Sequence, residues 1–238
     1  MVLLLVSSAG VSGCESTQDK SARRQREGKG LLAKQQGLSI AETNTDVRVV
    51  GTTVLHDRFG TAAVVELENT TARDMTNVPL AITVKGARGR TVYRNNAPGL
   101  DPALVGAPLL PHRRRVVWIN NQIAATGTPR AVAVKVGKPK GTAPARVPRI
   151  EISRVRQDRD TDGAFVSGVI ANRSRLEQQR LTVFAVAKRG GRVVAAGRGV
   201  VEKLAPAPTK KPVRFTIYFI GDPAGARLSF YAPPVRLK

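Results

Sequence analysis

The sequence repeats itself once, and this internal duplication is the strongest constraint on its fold. Residues 60–69 and residues 163–172 each begin with Gly, end with Asn and have the same length. In each copy an apolar stretch that ends in Lys follows, at residues 78–85 and 181–188, and then a Gly-Arg-Xaa-Val turn. Self-similarity of this kind indicates one structural unit that occurs twice.

Both copies have the pattern of a β-rich unit. They are strings of short β-branched runs separated by turn residues, without a long stretch of helical periodicity. Alternate positions of residues 213–219 are apolar and would share the buried face of a strand. About seven such strands in roughly 90 to 100 residues fit an immunoglobulin-like sandwich. The predicted fold class is all-β, with two tandem immunoglobulin-like β-sandwich domains after a signal peptide and a disordered basic linker.

Composition divides the chain into five predicted segments. They are a signal peptide at 1–13, a flexible basic tether at 14–45, a first β-sandwich at 46–136, a hinge at 137–147 and a second β-sandwich at 148–238. The tether is polar and has no apolar periodicity, which is typical of a flexible linker. Pro and Gly residues in the hinge disfavour regular strand pairing.

The N-terminal segment resembles a bacterial lipoprotein signal peptide with its lipobox. An apolar run at residues 2–6 leads to Val-Ser-Gly-Cys at residues 11–14, after which the chain becomes polar. In that family an apolar residue and two small residues precede an invariant Cys, whose thiol accepts a diacylglyceryl group. The resemblance implies that Cys14 begins the mature protein and carries fatty acyl groups such as palmitate. These would anchor it at the extracytoplasmic face of a bacterial cell membrane. The alternative is the apolar start of a soluble protein with an incidental cysteine.

Residues 165–172 and 183–194 resemble the FxLYD-type domains of bacterial envelope proteins. The shared order is a strand, an Asn-Xaa-Ser/Thr turn, a strand, a Gly-Arg-Xaa-Val turn, and Pro before an alternating strand. The match covers most of the second repeat and a weaker part of the first, and Lys188-Arg189 replaces the Asp expected before the Gly turn. Such domains occur on lipoproteins and membrane-anchored proteins without known catalytic residues, so the resemblance implies a location rather than an activity.

The formal net charge of +22 predicts an anionic partner, because such a field attracts phosphate, carboxylate and anionic lipid surfaces. Residues 102–150 contain no Asp or Glu. The candidate polyanion-binding residues in this stretch are Arg113, Arg114, Arg115, Lys138 and Lys140. Aromatic residues make up only 4% of the chain, so bases would find few stacking partners and nucleic acid is not the expected ligand. Trp118, next to the arginines, is interpreted as a core residue rather than a stacking platform.

One short segment has the spacing of hard-cation ligands. Asp158, Asp160 and Asp162 alternate before Gly163, as carboxylates do in calcium loops. The Glu that closes an EF-hand loop is missing, since Val169 stands in its place, and the first repeat has only one equivalent carboxylate, Asp57, so a site would belong to one copy only. We interpret the segment as a hairpin turn, with a calcium site as the alternative.

The residue types needed for catalysis form no familiar constellation. His56 and His112 lie beside turn signals, and the sequence has no nucleophile elbow, zinc spacing, phosphate-binding loop or dinucleotide fingerprint. Cys14 is the only cysteine, which excludes an intrachain disulfide. We therefore expect neither an enzyme nor a cofactor.

Taken together, these patterns predict a non-enzymatic, membrane-anchored lipoprotein of the bacterial cell envelope that serves as a binding or scaffolding module. The expected partners are the membrane, through the lipid anchor, and an anionic cell-wall polymer, an anionic lipid or an envelope protein. The alternative is a soluble polyanion-binding or nucleic-acid-binding protein. The ligand and the oligomeric state are left open.

Overall fold

A computed structural model describes residues 37–207 and 212–237. The all-β prediction is confirmed: the described chain consists of antiparallel sheets, with single 3-10 turns at Ala87–Gly89 and Pro102–Leu104. No helix in these residues is long and apolar enough to cross a membrane. The predicted signal peptide, Cys14 and the first part of the tether lie outside the described residues.

Seven strands form the first sandwich. In chain order they are β1 (Val47–Asp57), β2 (Gly60–Asn69), β3 (Met75–Lys85), β4 (Thr91–Arg94), β5 (Gly106–Leu110), β6 (Arg115–Asn120) and β7 (Ala131–Val136). One sheet has the strand order β1-β2-β6. In the other sheet, β3 pairs with β4, β5 and β7. All these pairs are antiparallel, as short connections allow.

The second sandwich repeats this plan. In chain order its strands are β8 (Ile150–Asp160), β9 (Gly163–Asn172), β10 (Gln178–Arg189), β11 (Arg192–Leu204), β12 (Val213–Tyr218), β13 (Ile220–Gly221) and β14 (Arg227–Tyr231). The sheet β8-β9-β12 corresponds to β1-β2-β6. The other sheet has the order β13-β11-β10-β14, and its β10 pairs with the next strand and the last strand, as β3 does.

The first hairpin has the same register in both sandwiches. β1 and β8 each have 11 residues, and β2 and β9 each have 10. Asp57 pairs with Gly60 beside the turn, and Asp160 pairs with Gly163. The two glycines have φ angles of 146° and 125°, which residues that carry a side chain rarely adopt. Because the turn fixes the register of a hairpin, equivalent residues of the two hairpins point to the same face of their sheets.

The alternation predicted for residues 213–219 is present in β12. Phe215, Ile217 and Phe219 are buried in the core of the second sandwich. Thr216 and Tyr218, which lie between them, are exposed, as is Arg214 before them. One face of this strand is therefore core and the other faces solvent.

The two sandwiches pack face to face through one sheet of each. Phe184, Val186 and Ala196, on β10 and β11, belong to the buried cluster of the first sandwich, which includes Val64 and Ile119. The intervening side chains of β10 point the other way, into the core of the second sandwich. Apolar contacts thus continue from one sandwich to the other.

Polar bonds also join the sandwiches. The Lys188 Nζ atom lies 2.6 Å from Glu66 Oε2, and both side chains are about two-thirds buried. The hydroxyl of Tyr231 donates to the carbonyl oxygen of Leu109 at 2.7 Å. These bonds connect β10 and β14 to the first sandwich.

The segments that flank the first sandwich lie along its edges. Asn44 N, at the end of the predicted tether, donates to Val136 O at 2.9 Å. Lys140 N, in the predicted hinge, donates to Asn77 O at 3.2 Å. Both segments therefore add backbone pairing to β7 and β3.

Candidate functional site

Three of the candidate polyanion-binding residues lie at the turn from β5 into β6. Arg113 occupies the turn with a φ of 50° and is exposed, as is Arg114. Arg115 begins β6, and its Nε atom lies 3.5 Å from Glu68 Oε1. Arg113 and Arg114 form no ion pair with the described residues, so this turn presents uncompensated positive charge to solvent.

The other two candidates follow β7 and have different surroundings. Lys138 Nζ lies 2.5 Å from Glu42 Oε2. The hydrogen bond and the charge of Glu42 raise the pKa of Lys138, and the same contacts lower the pKa of Glu42. Lys138 is therefore already paired, whereas Lys140 lines a cleft between the two sandwiches.

This cleft has a volume of about 520 Å³ and mainly apolar walls. The apolar residues of its lining are Leu38, Pro79, Pro102, Ala103, Val105, Ala107, Pro108 and Val235. Residues of β10 close the opposite side, so both sandwiches contribute to it. Neither sandwich alone would form the cleft.

Charged side chains surround the apolar walls. Lys140, Arg180 and Arg236 are basic, and Asp101 is the acidic residue among the described residues of the lining. Arg180 Nη2 donates to Asp101 Oδ2 at 2.8 Å, which connects β10 to the first sandwich. The rim therefore has more positive than negative charge.

The carboxylate of Asp101 stays ionised through three contacts. Burial by itself raises the pKa of Asp101. The hydrogen bond from Ala103 N at 2.8 Å, the hydrogen bond from Arg180 and the charge of Arg198 outweigh burial, and the pKa of Asp101 is lower than usual. The hydrogen bond to Asp101 in turn raises the pKa of Arg180. Asp101 thus compensates part of the basic charge and leaves the rest of the rim available.

Arg198, on β11, adds a guanidinium beside this pair. Its Nη1 atom is buried and has no hydrogen-bond partner among the described residues. Burial lowers the pKa of Arg198, the charge of Asp101 raises it, and the charge of Arg180 lowers it further. A buried charged donor without an acceptor is unfavourable, so an additional anionic oxygen near this group would be stabilising.

This combination of walls and rim suits one class of ligand. Ligand pockets are typically apolar clefts with a few polar groups that orient the ligand. Apolar walls favour an aliphatic portion, while Lys140, Arg180 and Arg236 favour a negative group. The cleft can therefore hold an anion that has an apolar portion.

The three aspartates of the calcium hypothesis lie at the β8–β9 hairpin. Asp160 Oδ1 accepts a hydrogen bond from Asp162 N at 2.9 Å, and Asp160 Oδ2 accepts one from the Tyr218 hydroxyl at 2.8 Å. Asp158 Oδ1 accepts a hydrogen bond from Arg159 N at 2.8 Å. Within the described residues, no group of three His, Cys, Asp or Glu side chains is placed to hold a metal ion. The hydrogen bonds match the hairpin interpretation, and calcium binding stays a prediction.

Both histidines are exposed, and each has a local partner. His56 Nδ1 lies 2.8 Å from Thr61 Oγ1, and His112 Nδ1 lies 2.7 Å from Asp74 Oδ1. Trp118 is only 1% exposed, which confirms its interpretation as a core residue. Its buried indole therefore cannot stack on a base that binds to the exposed arginines beside it in sequence.

Sequence reasoning missed Asp101, Arg180 and Arg198. Arg180 and Arg198 lie on the paired strands β10 and β11, and only the packing of the two sandwiches brings Asp101 close to them. A weak signal did exist, because Arg198 interrupts an otherwise small and apolar run at residues 193–201. A charged residue in such a strand needs a partner or a ligand.

No protein-family model matches this sequence, and no curated protein matches it.

Proposed function

We propose that this chain is a non-enzymatic, membrane-anchored binding module of the bacterial cell envelope, and that its cleft takes an anionic amphiphile. The observation that carries the proposal is the cleft between the sandwiches, with apolar walls and a rim of three basic residues and one acidic residue. An anionic phospholipid or lipid-linked precursor has the matching chemistry. Both offer an aliphatic portion and a phosphate.

The two halves of such a ligand would contribute differently to binding. Each methylene group that enters the cleft contributes about 0.8 kcal/mol. A phosphate oxygen gains charge-assisted hydrogen bonds from arginine or lysine, which are about twice as strong as neutral ones. Because Asp101 already occupies Arg180, Lys140 and Arg236 are the rim residues proposed to receive the phosphate.

The proposed location depends on Cys14 and its resemblance to a lipobox. An acylated Cys14 would keep the sandwiches within reach of membrane lipids. Leu38, within the predicted tether, is part of the cleft lining, so the chain that would come from the membrane enters the folded part beside the proposed site.

The cleft is tested by removing its rim charges. We would titrate the chain with dihexanoylphosphatidylglycerol and with dihexanoylphosphatidylcholine, both below micelle formation, and follow binding by calorimetry. The double variant Lys140→Gln, Arg236→Gln should bind the phosphatidylglycerol about tenfold more weakly, the effect of losing roughly 1.4 kcal/mol.

The matched control removes the same charge elsewhere. Arg130→Gln, Arg227→Gln replaces two exposed arginines outside the cleft lining. This control should bind as the unchanged chain does. Equal binding of the two lipids, or an equal loss in both double variants, would overturn the cleft as the site.

The anchor is tested separately on the chain produced in a bacterium. Mass spectrometry of the mature N-terminus should find acyl groups on Cys14, and Cys14→Ser should move the protein from the membrane to the soluble fraction. An unmodified chain that begins at Met1 and stays soluble would remove the proposed location.

The alternative function, a soluble nucleic-acid or polyanion binder, has a different candidate surface. Phe165 and Tyr218 lie on the outer face of the β8-β9-β12 sheet with ring centroids 5.4 Å apart. Asp160 accepts the hydrogen bond of Tyr218 on this face, and a carboxylate there repels phosphates. DNA binding that persists at physiological salt would favour this alternative over the cleft.

A further inference from the structure

Both sandwiches build the same turn after their second strand. The side chain of Asn69 donates through Nδ2 to Arg73 O at 2.8 Å, and Asn172 donates through Nδ2 to Leu176 O at 2.8 Å. Both asparagines are almost completely buried. The turn therefore depends on an asparagine at an equivalent position in each repeat.

The backbone of the turn is held in the same way in both repeats. Thr70 N donates to Asp46 O at 3.0 Å, and Arg173 N donates to Arg149 O at 2.8 Å. In the next position, the backbone N–H donates to the asparagine Oδ1 at 3.0 Å in the first repeat and 2.9 Å in the second. Because the hydrogen bonds correspond, each repeat serves as a reference for the other.

The side chains on this shared backbone differ in charge. The first repeat has Asp46, Thr70 and Ala72 where the second has Arg149, Arg173 and Arg175. The first repeat forms the turn without any arginine at these three positions. The arginines of the second repeat are consequently not required for the turn to form.

These arginines line a groove of about 620 Å³. Its lining consists of Arg146, Val147, Pro148, Arg149, Arg173, Ser174, Arg175 and Leu176. Four of these eight residues are arginines, and no acidic residue is among the eight. We call this surface the arginine groove.

One carboxylate beside the arginine groove compensates part of its charge. Glu151 Oε2 lies 2.5 Å from Arg173 Nε. The hydrogen bond from Arg173, its charge and the charge of Arg149 lower the pKa of Glu151, so this carboxylate is ionised at neutral pH. Arg146 and Arg175 form no ion pair with the described residues. Four positive charges therefore share one negative charge, and their mutual repulsion is relieved when an anion binds.

We infer that the arginine groove is a binding site for phosphate groups, separate from the cleft between the sandwiches. Guanidinium groups present paired N–H donors that match two oxygens of one phosphate, a geometry that lysine does not offer. A groove with several guanidinium groups can engage more than one phosphate. The repeated phosphates of a polyanion or of a headgroup layer therefore fit it better than an isolated carboxylate.

The first repeat supplies the test variant. We would replace Arg149→Gln, Arg173→Thr and Arg175→Ala in the full-length chain, the last two being the residues that the first repeat has in its own turn. Affinity for short-chain polyphosphate should fall about tenfold or more, since charge-assisted hydrogen bonds are lost. Circular dichroism and thermal melting should show that the fold is kept.

The matched control removes three exposed arginines that lie elsewhere, Arg130→Gln, Arg192→Gln and Arg227→Gln. It should change polyphosphate affinity by less than about threefold, the range expected from general charge alone. The single variant Arg175→Ala provides a second comparison, because this exposed side chain has no part in the hydrogen bonds of the turn. It should weaken binding by an intermediate factor.

Two further probes distinguish the source of the phosphate. Vesicles of phosphatidylglycerol and phosphatidylcholine report a headgroup layer, and polyphosphate reports a soluble polymer. Loss of either interaction in the groove variant alone supports the site and identifies its source. Equal losses in the groove and control variants, or an equal loss of polyglutamate binding, would overturn it, because both indicate unspecific attraction. That result would leave the cleft proposal intact, since no cleft residue is changed.

Discussion

The two sandwiches share a strand plan but bury different sheets against each other. The first sandwich uses the β1-β2-β6 sheet, and the second uses the sheet that contains β10 and β11. In β2, residues 61–65 are all buried, whereas its counterpart β9 alternates between buried and half-buried positions. In β10, residues 181–187 are all buried, whereas residues 80–85 of its counterpart β3 alternate.

This difference shows what a duplicated unit needs in order to pack on itself. Two copies that meet through unlike surfaces form a heterologous contact, in which no patch is used twice. Each copy must therefore acquire its own apolar face, and it does so on a different strand. Strands that are buried on both faces have continuous apolar runs instead of alternation. The departure of each repeat from the shared pattern thus marks the interface.

We expect the largest loss of stability when the aromatic side chain in the interface is truncated. Phe184 is 2% exposed, and Phe184→Ala should lower the free energy of unfolding by about 3–5 kcal/mol. The control is Thr83→Ala on the half-buried face of β3, which should change it by less than about 0.5 kcal/mol. Urea unfolding followed by the fluorescence of Trp118 and by circular dichroism measures both.

Similar costs for Phe184→Ala and Thr83→Ala would mean that the interface contributes little to stability. Two separate unfolding transitions in the Phe184→Ala variant would show that the two sandwiches no longer unfold together. Trp118 lies in the first sandwich, so its fluorescence would then follow one sandwich while circular dichroism follows both.

Local features of the fold could be predicted from the sequence, whereas the packing of the sandwiches could not. The alternation at residues 213–219 reports burial directly, because successive side chains of a strand point to opposite sides. The sheet that each repeat buries depends on contacts between residues far apart in the chain. The apolar stretches at residues 78–85 and 181–188 are similar in sequence, so neither of them indicated which copy would bury a second face.

The candidate site was predicted only in part for the same reason. Of the five basic residues proposed from the sequence, Lys140 alone lines the cleft. A run of basic residues shows where charge is dense in sequence, not where charges meet in space. Arg180 belongs to β10 and Asp101 to the first sandwich, and their ion pair exists only because the sandwiches pack together. Net charge indicates only a class of partner, which stays a prediction, and geometry was needed to locate a candidate site.

A second test asks whether the two turns are equivalent in energy. Asn69→Ala and Asn172→Ala should each cost about 1–3 kcal/mol, because buried backbone groups lose their hydrogen bonds. Asn69 donates a further hydrogen bond to Leu110 O at 3.0 Å, so its replacement should cost slightly more. Asn121→Ala is the control, since that side chain forms no hydrogen bond with the described residues. A large cost in one repeat only would show that the shared geometry does not mean shared stability.

The smallest expected effect concerns pH and the ion pair that crosses the interface. The folded-state pKa of Asp101 is below its usual value of 3.8, so folding favours the ionised carboxylate. Its contribution is therefore complete above about pH 5 and is lost as the pH falls through the lowered pKa. Because Asp101 is partly exposed, the contribution should be below about 1 kcal/mol.

Urea unfolding at pH 7 and pH 3 should show a smaller acid destabilisation in Asp101→Asn than in the unchanged chain. Glu151→Gln, whose pair with Arg173 lies within the second sandwich, should also reduce it, because this carboxyl has a lowered pKa as well. Only Asp101→Asn should also separate the unfolding transition seen by Trp118 fluorescence from the one seen by circular dichroism. An equal separation of the two transitions in both variants would contradict the placement of Asp101 at the interface.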